Sequence, residues 1–256
     1  MDNFNLYAKY YNLFNVDKNY DLETNYVYSL IQTFRPHAEK VLDLGCGTGG
    51  HVLEYAKKGL NVVGMDRSKQ MITLANKALQ KSGKINRSIK YIEADAKNFQ
   101  LDDNFDVVTS LFHVMSYQVH NSDILNVLNT VKTHLKPGGI FIFDYWYGPA
   151  VLTHRPEIRQ KKIKDDNTEI IRNARPKIIP DQNCVEVNYN ILIKDLSSHS
   201  TNEINELHKM RYFFIPELLN FFDQAEFKPL ACHEWLTEKS PGFDSWYAVH
   251  ILQKEE

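Results

Sequence analysis

Apolar residues fall into five short runs over the first 147 residues of the chain, and patterns of helical spacing alternate with them. Short apolar runs bounded by turn residues are typical of strands buried on both faces, and apolar residues spaced three or four apart indicate helices. The predicted strands are Lys40–Leu44, Asn61–Met65, Ile89–Glu93, Phe105–Leu111 and Gly139–Tyr145. Because strands and helices alternate, we expect a parallel sheet with helices on both faces.

The pattern changes after Tyr147, where strand patterns follow one another without helices between them. They are Thr168–Arg172, Cys184–Lys194 and Glu206–Phe213. Consecutive strands predict antiparallel pairing, so we expect residues 148–214 to insert a small antiparallel β-sheet. Two final strands, Lys228–Leu236 and Trp246–Gln253, are expected to join the main sheet as a hairpin. We therefore predict a single α/β domain over residues 1–256, with a seven-stranded, mostly parallel sheet.

The charge balance limits the classes of partner. Lys and Arg number 30 and Asp and Glu 32, so the chain lacks a basic field that would gather nucleic acid. Five basic residues do cluster in Arg155–Lys164, which we interpret as a solvated lysine-rich loop. No apolar run approaches the roughly 20 residues that span a bilayer, and the amino terminus lacks a signal-peptide pattern. The three cysteines show no metal-ligand spacing, which predicts a cytoplasmic protein without a metal site.

The glycine-rich segment after the first strand carries the clearest chemical signal. Gly45, Gly47 and Gly50 match the pattern G-x-G-x-x-G, and Gly49 adds a fourth glycine. Glycine suits such a strand-to-helix turn because the backbone turns tightly and a β-carbon would keep a ligand away. Asp66 ends the next strand, where a carboxylate accepts hydrogen bonds from ribose hydroxyls. The segment therefore predicts a nucleoside site.

Two further carboxylates bear on which nucleoside binds. Asp43 stands two residues before Gly45, where it would repel a pyrophosphate but attract an ammonium group. Asp95 follows the third strand, where it can accept a hydrogen bond from an adenine amino group. These positions favour a cationic nucleoside ligand. An NAD-dependent oxidoreductase remains an alternative, and so does a tight turn that binds nothing.

The combined motifs resemble those of class I S-adenosylmethionine-dependent methyltransferases over about residues 38–146. The matching segments are Asp43-x-Gly45-x-Gly47-x-Gly49, Asp66, Asp95 and Lys136-Pro137-Gly138-Gly139. The resemblance implies a Rossmann-like fold and S-adenosylmethionine as the cofactor. It implies that the following residues contact this cofactor: Asp43, Gly45, Gly47, Gly49, Asp66, Asp95, Leu111 and Tyr20. A methyltransferase fold that serves as a non-catalytic binding subunit is a further alternative.

In such sheets the acceptor binds beyond the carboxyl ends of strands four and five. The candidate catalytic residues are His113, Tyr11 and Asp144, and the candidate substrate-binding residues are Trp146, Tyr117 and Tyr145. A hydroxyl acceptor needs a general base, for which His113 is the candidate, whereas a neutral amine does not. Each of these side chains also fits a structural role, because histidines and aromatic rings commonly fill cores.

Two segments narrow the resemblance. Tyr7–Phe14, followed by Tyr20, and Phe141–Trp146 are similar to segments of methyltransferases acting on nucleotide-linked sugars, especially the N,N-dimethyltransferases of amino deoxysugars. This similarity implies that Tyr11 and Trp146 border the sugar. It also implies that the inserted sheet covers the site as a lid or forms a homodimer contact.

The chain departs from that family at two places. Ser116 and Tyr117 stand where the family has a Gly-His pair, and Asp144-Tyr145-Trp146 replaces Glu-Pro-Trp. An amine acceptor and a hydroxyl acceptor deprotonated by His113 therefore both remain open. We expect N- or O-methylation of a small molecule, a nucleotide-linked sugar above all, with no nucleic acid or membrane partner.

Overall fold

The computed structural model describes residues 10–11, 13–15, 17–164 and 166–255. Five parallel strands form the centre of the molecule in the order β3-β2-β1-β4-β5. They are β1 (Lys40–Leu44), β2 (Asn61–Asp66), β3 (Ile89–Glu93), β4 (Phe105–Ser110) and β5 (Leu135–Tyr147). The side chains of β1, β2, β4 and β5 are mostly buried, as parallel strands covered on both faces require, whereas those of the edge strand β3 are partly exposed.

Six α-helices lie between Tyr20 and Gln224. They are α1 (Tyr20–Phe34), α2 (Gly50–Lys57), α3 (Lys69–Lys81), α4 (Asn121–His134), α5 (Gly148–Thr153) and α6 (Ile215–Gln224). Alternate side chains of the sheet pack against different helices. Val41 lies in the core beneath α1 and α2, whereas its neighbour Leu42 lies in the core beneath α4 and α6. The sheet is thus covered on both faces, as the sequence indicated. No described helix is long and apolar enough to cross a membrane.

Strands β10 (Phe227–Glu234) and β11 (Tyr247–Lys254) complete the main sheet. They pair with each other in antiparallel fashion, and β11 lies antiparallel beside β5. The expected seven-stranded, mostly parallel sheet with a carboxyl-terminal hairpin is therefore confirmed. The strand order reverses between β1 and β4, and the crevice above such a reversal is the usual ligand site of open α/β sheets.

The segment between α5 and α6 forms a four-stranded antiparallel sheet, called the insertion sheet below. Its strands are β6 (Arg159–Lys164), β7 (Thr168–Ile179), β8 (Cys184–Asp195) and β9 (Thr201–Phe213). The interpretation of Arg155–Lys164 as a solvated loop was wrong for most of its length. Arg159–Lys164 is the edge strand, where Lys161 pairs with Asp17 and Lys162 with Glu169. Charged side chains on an edge strand discourage pairing with other chains.

The insertion sheet joins the main sheet at a short parallel contact. Trp146 and Tyr147 of β5 pair with Tyr212 and Phe213 of β9. One face of the insertion sheet buries apolar residues of β7, β8 and β9 together with Phe14, which lies before α1. The insertion sheet therefore packs against both the end of β5 and the segment that precedes α1.

Candidate functional site

The glycine segment forms a tight loop between β1 and α2. Gly45, Gly47 and Gly49 all have positive φ angles, of 71°, 54° and 85°. A β-carbon on Gly45 would lie 2.5 Å from Val114 Cγ2, and one on Gly49 would lie 2.3 Å from the Tyr91 hydroxyl. Both the backbone conformation and the packing therefore require glycine at these two positions.

Asp66, at the end of β2, holds this loop in place. Its Oδ2 accepts a hydrogen bond from the Gly47 backbone N–H at 2.9 Å, and its Oδ1 accepts one from Ser68 N–H at 2.8 Å. Burial raises the pKa of Asp66 and outweighs these two hydrogen bonds. Each carboxylate oxygen has a second lone pair, so Asp66 can still accept hydrogen bonds from ribose hydroxyls.

Asp43 lies within β1, with only 1% of its surface exposed. Its Oδ1 accepts a hydrogen bond from the Thr109 hydroxyl at 2.7 Å, but Oδ2 is buried and has no hydrogen-bond partner among the described residues. Burial raises the pKa of this carboxyl group. Burying a carboxylate oxygen without a hydrogen-bond partner costs free energy. An ammonium group of a ligand would offset this cost by donating a hydrogen bond to the oxygen. The site therefore fits a cationic amino acid moiety such as that of S-adenosylmethionine.

Asp95 and Leu111, two further candidate cofactor residues, lie in surroundings that differ from each other. Asp95 stands at the rim with its side chain 41% exposed, and its Oδ1 accepts a hydrogen bond from Lys97 N–H at 2.9 Å. Leu111 follows β4 with its side chain packed in the core beneath α1 and α2. That Leu111 contacts the cofactor stays a prediction; with its side chain in the core, only its backbone is left for such a contact. Phe112, the next residue, is 38% exposed.

Tyr20 begins α1 and lies beside the loop. A β-carbon on Gly50 would come within 2.5 Å of the Tyr20 ring, whose edge meets His51 with 4.9 Å between centroids. Burial raises the pKa of Tyr20 to about 12, so its hydroxyl stays protonated and can donate a hydrogen bond. Tyr11 also approaches the loop, because a β-carbon on Gly47 would lie 3.9 Å from its hydroxyl. Tyr7–Lys9 and Asn12 of the same motif lie outside the described residues.

A buried charged cluster beside Tyr20 was not found from the sequence. Glu23 Oε2 lies 2.7 Å from Lys18 Nζ and 2.8 Å from His51 Nε2. Burial opposes ionisation of Glu23, but the hydrogen bond to His51 and the Lys18 ammonium outweigh it and lower its pKa. Lys18 Nζ also lies 3.7 Å from the centroid of the Phe112 ring. The cluster thus ties the start of α1 to α2 and to the residues after β4.

His113 and Asp144 meet beyond the ends of β4 and β5. His113 Nδ1 lies 2.6 Å from Asp144 Oδ2, and the His113 backbone N–H donates to Asp144 Oδ1 at 3.0 Å. Phe112 and His113 both have positive φ, a conformation that non-glycine residues adopt at a cost. The imidazole stacks on the Tyr247 ring with centroids 4.3 Å apart. Asp144 is 1% exposed, and its carboxylate lies close to the imidazole although Nδ1 makes no hydrogen bond among the described residues.

Successive side chains at the end of β5 point to opposite sides of the sheet. Trp146 points to the same side as Asp144, with its ring centroid 6.3 Å from that of His113. Tyr145 points to the other side, where it is fully buried against Phe213. The expectation that Tyr145 contacts the acceptor does not fit this position. Trp146 has a buried indole Nε1 without a partner among the described residues.

Tyr117 lies in the 3-10 turn Val114–Tyr117 that follows His113. Its ring is 37% exposed, and its hydroxyl oxygen lies 2.7 Å from Nδ1 of His208 in β9. His208 was not identified from the sequence, since it belongs to the insertion sheet. No group of three or more His, Cys, Asp or Glu that could hold a metal ion occurs in the described part of the chain.

Comparisons with known proteins agree with this geometry. Residues 41–139 match the model of a family described as a methyltransferase domain. The chain is 28% identical over 145 residues to the dTDP-3-amino-3,4,6-trideoxy-alpha-D-glucopyranose N,N-dimethyltransferase of Streptomyces venezuelae, a match covering 56% of this chain and 58% of the relative. This chain matches about half the length of such curated relatives.

Solved structures show the same fold over nearly the whole chain. An S-adenosylmethionine-dependent methyltransferase from Clostridium acetobutylicum superposes with a TM-score of 0.81 at 18% identity, covering 99% of both chains. CalS10, an amino pentose methyltransferase from Micromonospora echinaspora solved with S-adenosylmethionine bound, superposes with a TM-score of 0.74 at 21% identity, covering 97% of this chain and 96% of its own. The chain therefore has the class I methyltransferase fold, and it resembles nucleotide-sugar methyltransferases.

Proposed function

We propose that this chain transfers a methyl group from S-adenosylmethionine to the amino group of a small molecule, namely a nucleotide-linked amino sugar. The observation that carries the proposal is the buried Asp43 oxygen beside the glycine loop, because it fits the ammonium group of that cofactor. When bound, the cofactor supplies a methyl group on a positively charged sulfur. The NAD-dependent alternative is disfavoured, since a pyrophosphate would meet this carboxylate.

The residues of the loop and of the strand ends each bind a different part of the cofactor. Asp43 accepts hydrogen bonds from the ammonium group, and Asp66 from the ribose hydroxyls. Asp95, at the exposed rim, accepts one from the adenine amino group. Tyr11, Tyr20 and the glycine backbone enclose the cofactor on the remaining side. Asp66 also fixes Gly47, so that cofactor binding and loop geometry depend on one carboxylate.

The acceptor is inferred from the relatives and from the chemistry beyond β4 and β5. The Streptomyces venezuelae relative is named for a dTDP-linked amino sugar, and CalS10 for an amino pentose. An amino sugar at neutral pH carries a protonated amine, which cannot attack until it loses a proton. The His113–Asp144 pair can accept that proton. The same pair would deprotonate a hydroxyl, so O-methylation is the second candidate.

The insertion sheet and the segment before α1 are proposed to cover the acceptor. Lys161 of β6 donates a hydrogen bond to the Phe14 carbonyl oxygen at 3.2 Å. Tyr11, three residues earlier, lies beside the glycine loop. A homodimer contact through the insertion sheet and a cytoplasmic location also remain part of the proposal, with no nucleic acid partner.

Turnover can be tested with the sugar for which the relative is named. We expect the chain to methylate dTDP-3-amino-3,4,6-trideoxy-α-D-glucopyranose with S-adenosylmethionine, and mass spectrometry of the sugar counts the methyl groups. His113→Ala should lower kcat by about 100-fold or more, because general base catalysis is worth that much. His37→Ala, at an exposed histidine, is the matched control and should keep wild-type kcat.

A different set of results would contradict the proposal. If only hydroxy sugars gain a methyl group, the acceptor assignment is wrong and O-methylation replaces it. If NADH binds and S-adenosylhomocysteine does not, the cofactor assignment is wrong. Wild-type kcat in His113→Ala would remove the proposed base.

A further inference from the structure

Three side chains form a row from the insertion sheet to the turn after β4. Glu206 Oε2 lies 2.9 Å from His208 Nε2, and His208 Nδ1 lies 2.7 Å from the Tyr117 hydroxyl oxygen. The Glu206 side chain is 9% exposed and that of His208 is 16% exposed, whereas Tyr117 as a residue is 37% exposed. The row therefore runs from a nearly buried carboxylate to a partly exposed phenol.

The turn that carries Tyr117 contacts the cofactor loop, the end of β5 and the insertion sheet. Its first residue, Val114, packs against Gly45 of the cofactor loop. Its third residue, Ser116, accepts a hydrogen bond through Oγ from the Trp146 backbone N–H at 3.0 Å. Because these neighbours fix both ends of the turn, Tyr117 is held between the cofactor loop, the acceptor edge and the insertion sheet.

The chemistry of the row assigns its protons. An ionised Glu206 only accepts hydrogen bonds, so His208 must carry its proton on Nε2. Nδ1 of the neutral imidazole is then an acceptor, and the Tyr117 hydroxyl donates to it. The second carboxylate oxygen, Glu206 Oε1, is buried without a hydrogen-bond partner among the described residues. The Glu206 carboxylate therefore has no other partner among the described side chains than His208.

We propose that Tyr117 is a second residue, besides His113, that takes a proton from the methyl-accepting substrate. His208 and Glu206 position and activate the Tyr117 hydroxyl. This inference rests on the proposed function. The acceptor N–H or O–H proton passes to the Tyr117 oxygen while the phenol proton passes to His208 Nδ1. The freed lone pair forms the new bond to the methyl carbon, and the carbon–sulfur bond breaks with its electron pair left on sulfur. The imidazolium ion that results donates through Nε2–H to Glu206.

The proposal gives the insertion sheet a chemical role besides covering the site. Tyr117 and His208 stand 91 positions apart in the chain and meet only because β9 packs against the turn. A purely structural brace would have the same hydrogen bonds and the same tautomer of His208. The two roles therefore differ in their effect on kcat.

The tautomer of His208 gives a test that needs no acceptor. In protein labelled with 15N-histidine, NMR should show His208 protonated on Nε2 and unprotonated on Nδ1, with the Nδ1 resonance shifting in Tyr117→Phe. His208→Gln assigns the signals. A proton on Nδ1 of neutral His208 would overturn the proposal, because Tyr117 could then not donate to it. This measurement tests the proton arrangement that the proposal requires even if the wild-type chain methylates no amino sugar, a result that would contradict the proposed function instead.

Kinetics test the role of the row in turnover. With the dTDP-linked amino sugar, Tyr117→Phe should lower kcat by about 100-fold, and Glu206→Gln by about tenfold, with KM for the sugar nearly unchanged. Affinity for S-adenosylhomocysteine should stay at the wild-type value in both variants. Tyr189→Phe, which removes a hydroxyl from a ring that meets His208 edge-on, is the matched control and should keep wild-type kcat. An unchanged kcat in Tyr117→Phe would overturn the proposal.

Discussion

At the residue scale, His250 shows how burial sets a charge state. It lies in β11 with 1% of its surface exposed, close to the rings of Phe143, Tyr145 and Phe222. Its Nδ1 has no hydrogen-bond partner among the described residues. Burial, with a smaller effect of His233, lowers the pKa of His250 from 6.5 to about 3. The folded protein therefore keeps this histidine neutral throughout the range in which an unfolded chain would protonate it.

Stability should fall as the pH falls through that range. The folded pKa lies below the unfolded value, so the contribution of His250 is complete above pH 6.5 and is lost progressively towards pH 3. Between pH 7 and pH 5 this one group should reduce the free energy of unfolding by about 2 kcal/mol, because one pKa unit is worth about 1.4 kcal/mol. Urea unfolding at several pH values measures it.

A variant isolates the effect of His250. His250→Phe keeps a ring in the aromatic stack and should flatten the pH dependence by that amount. His37→Gln, at an exposed position, should leave it unchanged. An equal slope in wild type and His250→Phe would show that His250 does not titrate in this way.

At the element scale, Arg211 fastens the end of β9 to the main domain. Its Nη1 donates to the Asn121 side-chain oxygen at 2.8 Å and to the Val119 carbonyl oxygen at 3.3 Å. Its Nη2 pairs with Glu217 in the first turn of α6, and the guanidinium lies beside the Phe213 ring. One planar side chain thus connects β9 with the starts of α4 and α6, next to the site where His208 reaches Tyr117.

Replacing the Arg211 guanidinium should weaken the contact between β9 and the starts of α4 and α6. Arg211→Lys keeps the charge but loses the geometry that serves two sides at once, and should lower the free energy of unfolding by about 1–3 kcal/mol. Urea unfolding measures the change. The matched control is Arg175→Lys on the exposed face of the insertion sheet, which should change stability by less than about 0.5 kcal/mol. Equal stability of the two variants would contradict a fastening role for Arg211.

The elements also show what the sequence could predict. The central strands of the parallel sheet were found because burial on both faces leaves nearly continuous apolar runs. Edge strand β6 was missed because its lysines form ion pairs, Lys161 with Asp17 before α1 and Lys162 with Glu169 of β7, rather than an apolar face. Strand β7 extends past the predicted Arg172 to Ile179 and includes Pro176. Only Glu169–Ala174 of β7 pairs with β6, so Pro176 lies where no β6 partner needs its missing N–H.

At the scale of the whole molecule, the sequence predicted which residues meet at the glycine loop better than which residues meet beyond β4 and β5. Asp43, the glycines and Asp66 lie in one strand–loop–helix–strand unit, so a local motif is enough to place them together. His113 and Asp144 also meet, because adjacent parallel strands end at the same edge. His208 and Tyr117 meet only through the packing of the insertion sheet, and alternation turned Tyr145 into the core. No local pattern reports such contacts.

Replacing one of two aspartates of the sheet should weaken cofactor binding, whereas replacing the other should lower only the free energy of unfolding. Asp66 lies at the carboxyl edge beside the glycine loop. Asp106 lies at the amino edge, where it accepts hydrogen bonds from the backbone N–H groups of Glu39 and Lys40 and from Lys136. Asp106→Ala should therefore lower the free energy of unfolding by about 1–3 kcal/mol without changing cofactor affinity. It serves as the matched control for the binding measurement.

That measurement is calorimetric titration of the chain with S-adenosylhomocysteine. Wild type and Asp106→Ala should bind it with the same dissociation constant. Asp66→Ala should keep its fold, seen by circular dichroism, and bind about 100-fold more weakly, because a charge-assisted pair of hydrogen bonds to the ribose is lost. No binding by wild type at high micromolar concentration, or wild-type affinity in Asp66→Ala, would contradict the assignment of this loop as the cofactor site.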